Sequence, residues 1–219
     1  MKKSTLIIAS LLLVSFSFGQ TQNKRDFYTS LIAQLDTIHQ EDQKDRIRIN
    51  ELLIKSRTES ENLELVTLVE LMNKNDSINL IKVEKILNEH GWLGADVIGE
   101  KGNHTLFLVI QHADFETQLK YLPLMRESVE KGTLKAKDFA LLVDRIEMRR
   151  GNRQIYGSQI KIDGSEFYVY PIIDPEKVNE RRAEIGMEPI EDYVKNVGLT
   201  WDIEKHIELT KKLEAQKEK

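Results

Sequence analysis

Apolar residues recur along most of this chain at intervals of three and four, the spacing that gathers them on one face of a helix. From Asn23 to about Glu41 that face is Phe27, Leu31, Leu35 and Ile38. A second run carries Ile49, Leu52 and Leu53, and a third, from about Ser60, carries Leu63, Val66, Val69 and Met72. Asp76 or Ser77 is suited to cap a fourth helix bearing Leu80, Val83, Ile86 and Leu87, with Gly91 to end it. Beyond a glycine-bracketed loop, Leu106 to Ile110 is apolar at every position. Its helical neighbours and the lack of an apparent partner strand predict a helix there, with Asn103 as its cap. Phe115 to Val129, closed by Gly132, gives another helix. Lys135 to about Arg149 is the next, with Phe139, Leu142, Val143 and Ile146 on its buried stripe.

The period then falls to two. Ile160-Lys161-Ile162 and Phe167-Tyr168-Val169-Tyr170 flank Asp163-Gly164, which predicts a hairpin closed by a type I′ turn at that pair. In this register Ile162 faces Ser165, Lys161 faces Glu166, Ile160 faces Phe167 and Gln159 faces Tyr168. Pro175 and Pro189 open two short helices, ending at Gly186 and near Gly198. A tail from Thr200 turns Ile203, Ile207 and Leu213 inward. The expected fold is mainly α: a single-domain helical array over residues 20–199 with one β-hairpin (about 153–172) packed on it. A C-terminal amphipathic helix, residues 200–219, follows and frays at its Lys/Glu-rich end.

Composition changes the picture at the N-terminus. Lys2 and Lys3, the apolar run Leu6 to Val14, and Ser17 and Gly19 before Gln20 form the pattern of a cleaved secretory signal over residues 1–19. Its apolar run is too short to span a bilayer. Cleavage moves the formal charge from −4 to −6, and no basic stripe invites nucleic acid. The expected product is soluble in the periplasm or outside the cell, with no stable membrane insertion. The absence of cysteine excludes disulfides, thiol catalysis and thiolate metal sites. Five scattered histidines, with no His-Glu-x-x-His, phosphate loop or dinucleotide fingerprint, predict no metal and no cofactor.

Candidate chemistry concentrates between Gln111 and Gln159. Gln111-His112-Ala113-Asp114 places a histidine beside a carboxylate, a pair able to move protons. Alternatively, Asp114 caps the helix that starts at Phe115 and His112 is a satisfied interior residue. Arg145 of Asp144-Arg145 offers a planar fork of donors for a carboxylate or phosphate; alternatively the two make separate structural contacts. Gln154, Tyr156 and Gln159 are neutral donor–acceptor groups, and Gly157 permits close backbone approach. They suit recognition of a polar ligand, or tie the hairpin to the helices. Asp42, Gln43 and Arg46 lie at helical spacing, and a local ion pair between Asp42 and Arg46 explains them.

Together Gly91-Trp92, Gln111-His112-Ala113-Asp114, Leu142-Val143-Asp144-Arg145, Gly151, Gln154-Ile155-Tyr156-Gly157-Ser158-Gln159 and Arg181-Arg182-Ala183-Glu184-Ile185-Gly186-Met187-Glu188-Pro189 resemble a family of mostly bacterial proteins, domain of unknown function 6624. Asp42-Gln43 with Arg46 resembles an early element of the same family. The match runs from about Asn23 to Asn196. Ser158 stands where threonine is usual, and Leu93 where proline is common. The resemblance implies that these separated polar elements belong to one module, and it brings Trp92, Asp42, Gln43 and Arg46 into the candidate set. It supplies no activity.

Three functions are compatible with this pattern. The leading expectation is a secreted module binding a small polar or anionic ligand, held by Arg145 and read by Gln111, Gln154, Tyr156 and Gln159. The second is a hydrolase with His112 as general base, oriented by Asp114 or Asp144. The third is a structural or interaction protein whose polar network locks the hairpin to the helices. Side chains converging on solvent favour a site, whereas complete mutual burial favours a scaffold.

Overall fold

The computed structural model describes residues 5–53, 57–163 and 166–217, with side chains from Arg25 onward except at residue 217 and beside the hairpin turn. The expected leader and its cut before Gln20 fall outside the described side chains. The fold is mainly α with one two-stranded antiparallel hairpin. The chain forms two compact units, Met1–Asn75 with Leu93–Leu106, and Asp76–Trp92 with Phe107–Lys219. No helix among the described residues is long and apolar enough to cross a membrane.

In the first unit, α1 (Thr5–Leu53) joins two of the expected helices into one. Its buried positions are Leu31, Leu35, Ile38, Asp42, Asp45, Ile49 and Leu52, an unbroken alternation of four and three. Two of the seven are aspartates, which is why the apolar pattern divides there although the helix does not. Asp45 accepts from Asn75 Nδ2 at 3.0 Å. Phe27, expected on this face, is exposed. The helix α2 (Glu59–His90) begins at a reciprocal cap: Thr58 N donates to Glu61 Oε2 at 2.9 Å, and Glu61 N to Thr58 Oγ1 at 3.2 Å. It runs through Asp76 and Ser77, so neither is a cap. Leu63 and Val66, expected inside, are exposed. Arg48 grips Glu64 through Nε and Nη2 at 2.7 and 3.0 Å and holds the start of α2 against α1.

The helix α3 (Ala95–His112) is kinked at Gly99 (φ 73°, ψ 162°). It therefore begins well before Asn103, which is inside it and donates to the Leu93 carbonyl at 2.7 Å. The run Leu106 to Ile110 is helical, as its neighbours predict.

In the second unit, α4 (Phe115–Glu130) and α5 (Ala136–Arg149) pack on each other. Leu142 and Ile146 share one buried side of α5 and Asp144 is buried on the opposite side, while Phe139 and Val143 are half-buried. The hairpin β1 (Ile160–Asp163) and β2 (Glu166–Val169) pairs Ile160 with Val169, Lys161 with Tyr168, Ile162 with Phe167 and Asp163 with Glu166. The connection is thus centred one residue later than Asp163-Gly164, and Lys161 faces Tyr168 instead of Glu166. The predicted turn type at Gly164 and the place of Ser165 fall outside the described residues. A 3₁₀ turn (Pro175–Lys177), α6 (Val178–Glu184) and α7 (Ile190–Lys195) follow. Val169, Ile172, Val178, Ile190 and Val194 form their common core, covered by Tyr193, Leu199 and Trp201.

The last helix, α8 (Ile203–Lys217), turns His206 and Thr210 inward and leaves Ile207 exposed, against the expected apolar stripe. His206 sets this rotation. Its Nε2 accepts from Ile172 N at 3.2 Å and its ring lies 4.9 Å from that of Trp201. A satisfied polar contact outweighs one more buried isoleucine here.

Candidate functional site

Gly151, at φ 79°, ends α5 and turns the chain back along it. Gln154 then bridges to Ile172: its N donates to the Pro171 carbonyl at 2.8 Å and its carbonyl accepts from Ile173 N at 2.9 Å. The Gln154 side chain behaves as one more peptide. Its Nε2 donates to the carbonyls of Tyr170 (2.6 Å) and Gln159 (3.1 Å), and its Oε1 accepts from Gln159 N (2.8 Å).

Between these anchors lies the turn Ile155–Ser158, held from both edges. On its N–H edge, Asp144 Oδ1 accepts from Ile155 N and Tyr156 N at 2.7 and 3.0 Å, and Oδ2 accepts from Ser158 N at 2.9 Å. On its carbonyl edge, Arg181 Nε donates to Ile155 O at 2.9 Å, Arg182 Nη1 to Tyr156 O at 2.7 Å, and the Tyr193 hydroxyl to Ser158 O at 2.7 Å. An acid reads the donors and two cations with a phenol read the acceptors. Such charge-assisted bonds are stronger than neutral ones, and together they fix a turn that has no ladder of its own. Asp144 is 0% exposed, and burial pushes its carboxyl above the ordinary range while the three amides pull it back.

Arg182 is as deeply buried as Asp144; burial pulls its guanidinium down from the usual value. Its Nε also donates to Glu188 O at 2.6 Å, and its Cζ lies 4.9 Å from the centre of the Tyr193 ring. Arg181 holds in addition the carbonyls of Ile173 and Asp174, where Asp174 adopts a left-handed conformation.

Gly157 sits at the centre of the turn with φ 72°. A Cβ there would stand 2.6 Å from Ile190 Cδ1 and 2.7 Å from Ile172 Cδ1. Gly157→Ala is expected to lower stability by about 2 kcal/mol, combining left-handed strain with a crowding that the isoleucine methyls partly relieve. Urea unfolding measures it, and an unchanged midpoint would contradict the close approach.

The remaining sequence-predicted residues divide into groups. Arg145 Nε donates to Gln159 Oε1 at 3.1 Å and its Nη1 to the Gln111 carbonyl at 2.8 Å. Gln159 Nε2 reaches Leu141 O at 3.2 Å and Ser158 Oγ at 2.9 Å; Gln111 Nε2 reaches Leu141 O at 3.3 Å. Gln118 Nε2 also donates to the Gln111 carbonyl at 2.8 Å, and Arg149 Nη1 to Ala113 O at 3.2 Å. These donors satisfy carbonyls at the end of α3, where cations are favoured. Gln111, Asp144, Arg145, Gln154 and Gln159 therefore belong to one network. Tyr156 joins it through its backbone, and burial pushes its phenol pKa up. Asp114 caps α4, accepting from Thr117 N at 2.8 Å, and that bond holds its carboxyl below the ordinary range. His112 is the half-buried last residue of α3, and Trp92 is buried with no hydrogen-bond partner for Nε1. Asp42, Gln43 and Arg46 cluster on α1 in the first unit: Gln43 Nε2 donates to Asp42 at 2.6 Å, and Arg46 lies 3.7 Å from the same oxygen.

Both carboxylates proposed as orienters of His112 thus have backbone amides as partners. The sequence reading missed Arg181, Arg182, Tyr193, Arg149 and Gln118 as members. Arg149 is one turn after Arg145 on α5, a spacing that places both on one face.

Outside this network, a cavity of about 280 Å³ lies between the hairpin and α8, lined by Asn152, Arg153, Lys161, Tyr168, Tyr170 and Glu214 among others. Arg153 and Glu214 close one side as a two-bond ion pair, 2.8 Å at each contact. Lys161 Nζ lies 5.9 Å from the centre of the Tyr170 ring.

A family model matches residues 31–204, from α1 to the first residues of α8. The chain belongs to the family of unknown function DUF6624. No curated protein and no solved structure matches it significantly. Within this DUF6624 chain, three of the sequence elements that carry the resemblance meet in one place: Asp144-Arg145, the Gln154–Gln159 turn and Arg181-Arg182 are the two jaws and the segment between them.

Proposed function

We propose that this DUF6624 protein, exported by residues 1–19, is a binding module for a small polar or anionic ligand. The Asp144–Gln159 network is its frame, and the cavity between the hairpin and α8 is its recognition surface. One observation carries this reading: a cavity of about 280 Å³ lined by Asn152, Lys161, Tyr168 and Tyr170 lies beside a frame whose own carboxylate, Asp144, is fully engaged by backbone amides. Arg145 and Gln154 likewise donate to protein acceptors. The cavity offers what the frame does not, an exposed lysine beside two tyrosines, a set suited to an anionic or hydroxyl-rich ligand. The hydrolase alternative loses support because Asp114 and Asp144 are both engaged as backbone acceptors.

The test is a thermal-shift screen of the mature chain against carboxylates, phosphate and acidic sugars, followed by calorimetry on any hit. Lys161→Glu and Tyr168→Ala are expected to weaken binding at least tenfold with an unchanged fold, while Arg145→Lys acts on stability. If a hit is turned over, and His112→Gln abolishes turnover without changing affinity, the hydrolase reading replaces this one.

A further inference from the structure

We propose that Asp76 and Asn79 of α2, with His112 of α3, form a binding site for a divalent transition-metal cation. A carboxylate oxygen of Asp76 and a ring nitrogen of His112 lie within 4.8 Å of each other. Two ligands bound about 2.1 Å from one ion stand at most about 4.2 Å apart, so a small side-chain rotation brings this pair into range. Asn79 supplies the independent observation. It is 0% exposed, yet neither Oδ1 nor Nδ2 has a hydrogen-bond partner. A buried amide without a protein partner at either atom is unfavourable, and a bound ion or an ordered water would relieve it. Asn79 follows Asp76 by three positions in a continuous helix, which places the two side chains on the same face of α2.

The donor chemistry selects among ions. One imidazole, one carboxylate and one amide oxygen make a mixed nitrogen–oxygen set without thiolate. Such a set suits Zn²⁺ or Mn²⁺ better than Mg²⁺, which prefers oxygen alone and keeps its waters. Three protein donors leave further positions for water. No sequence motif announces the site, because its members come from two successive helices and share no local ligand spacing. That is why the composition predicts no metal. The site uses none of the residues of the hairpin cavity, so it stands or falls separately from the ligand proposed there.

The test uses the mature chain without an affinity tag, stripped with chelator and titrated separately with Zn²⁺, Mn²⁺ and Mg²⁺ by calorimetry and thermal unfolding. One equivalent of Zn²⁺ or Mn²⁺ is expected to bind and raise the melting temperature, with a Mg²⁺ affinity at least a hundredfold weaker. Asp76→Asn and His112→Gln should each weaken binding at least tenfold. Asn79→Leu replaces the unsatisfied amide with an apolar side chain of similar size. It should keep or raise the melting temperature of the metal-free protein while reducing the metal response, so it remains informative if another variant folds poorly. Absence of stoichiometric binding, or binding of equal strength in all three variants, overturns the proposal.

Discussion

Asp144→Ala is expected to destabilise the protein by about 4 kcal/mol, the largest effect of any substitution in the network. The alanine leaves the amides of Ile155, Tyr156 and Ser158 without their acceptor in a buried place. Each such loss costs roughly 1–3 kcal/mol, and water entering the space left by the carboxylate recovers part of it. Asp144→Asn keeps one acceptor oxygen but turns an amino group toward amide donors, so about half the loss is expected. Urea unfolding gives the magnitude, and native-state hydrogen exchange gives the location: the three amides should exchange far faster while those of α4 change little. A loss below about 1 kcal/mol in the alanine variant would remove the turn-clamping role assigned to Asp144.

Acid should loosen the attachment of α8 through His206. Burial, with the Arg153 charge adding, lowers the His206 pKa from 6.5 to about 4. The neutral ring is required, because Nε2 accepts from Ile172 N and a protonated ring would oppose one donor to another. The folded pKa lies below the unfolded one, so this contribution is complete above pH 6.5. It is lost as pH falls toward 4, with no further loss below that. Across the window the loss is about 3 kcal/mol. His206→Gln can still accept through its amide oxygen but does not titrate. Subtracting its stability profile between pH 7 and pH 4 from that of the wild type isolates the histidine contribution. A difference that stays flat with pH contradicts it.

The helices were legible wherever their apolar stripe was uninterrupted, as in α4 and α5. They were misdivided where a polar residue takes a stripe position. Asp42 and Asp45 split the pattern of α1, and the cap-forming residues Asp76 and Ser77 suggested a boundary inside α2. Propensity reads each position alone, whereas a helix already anchored on both sides accepts such residues when packing supports it. The hairpin was recognised by its alternation, but its pairing differs by two residues, Lys161 facing Tyr168 instead of Glu166, which moves the centre of the connection by one and keeps each residue on its expected face.

At the candidate site, residue types identified the members and not their direction. Asp144, Arg145 and Gln154 were legible as belonging together, yet the same donors and acceptors serve a ligand or a backbone equally well. Which they meet depends on the path of the turn. Arg181 and Arg182 entered only as part of the resemblance, with no role assigned to either, and Tyr193 had no local pattern to mark it.

The grip on Ile155–Ser158 makes that segment an internal guest, recognised as a bound peptide would be, by its main chain. Recognition of this kind is indifferent to most side chains of the guest and strict about its shape. Ser158 illustrates the indifference: its amide and carbonyl are held, and its hydroxyl accepts from Gln159 Nε2. Serine meets these demands as fully as the threonine usual in the resemblance. Gly157 illustrates the strictness, for there the host presses against the Cα itself. Sequence drift at positions 155 and 156 can therefore alter what the turn displays to its surroundings while leaving the means of holding it in place.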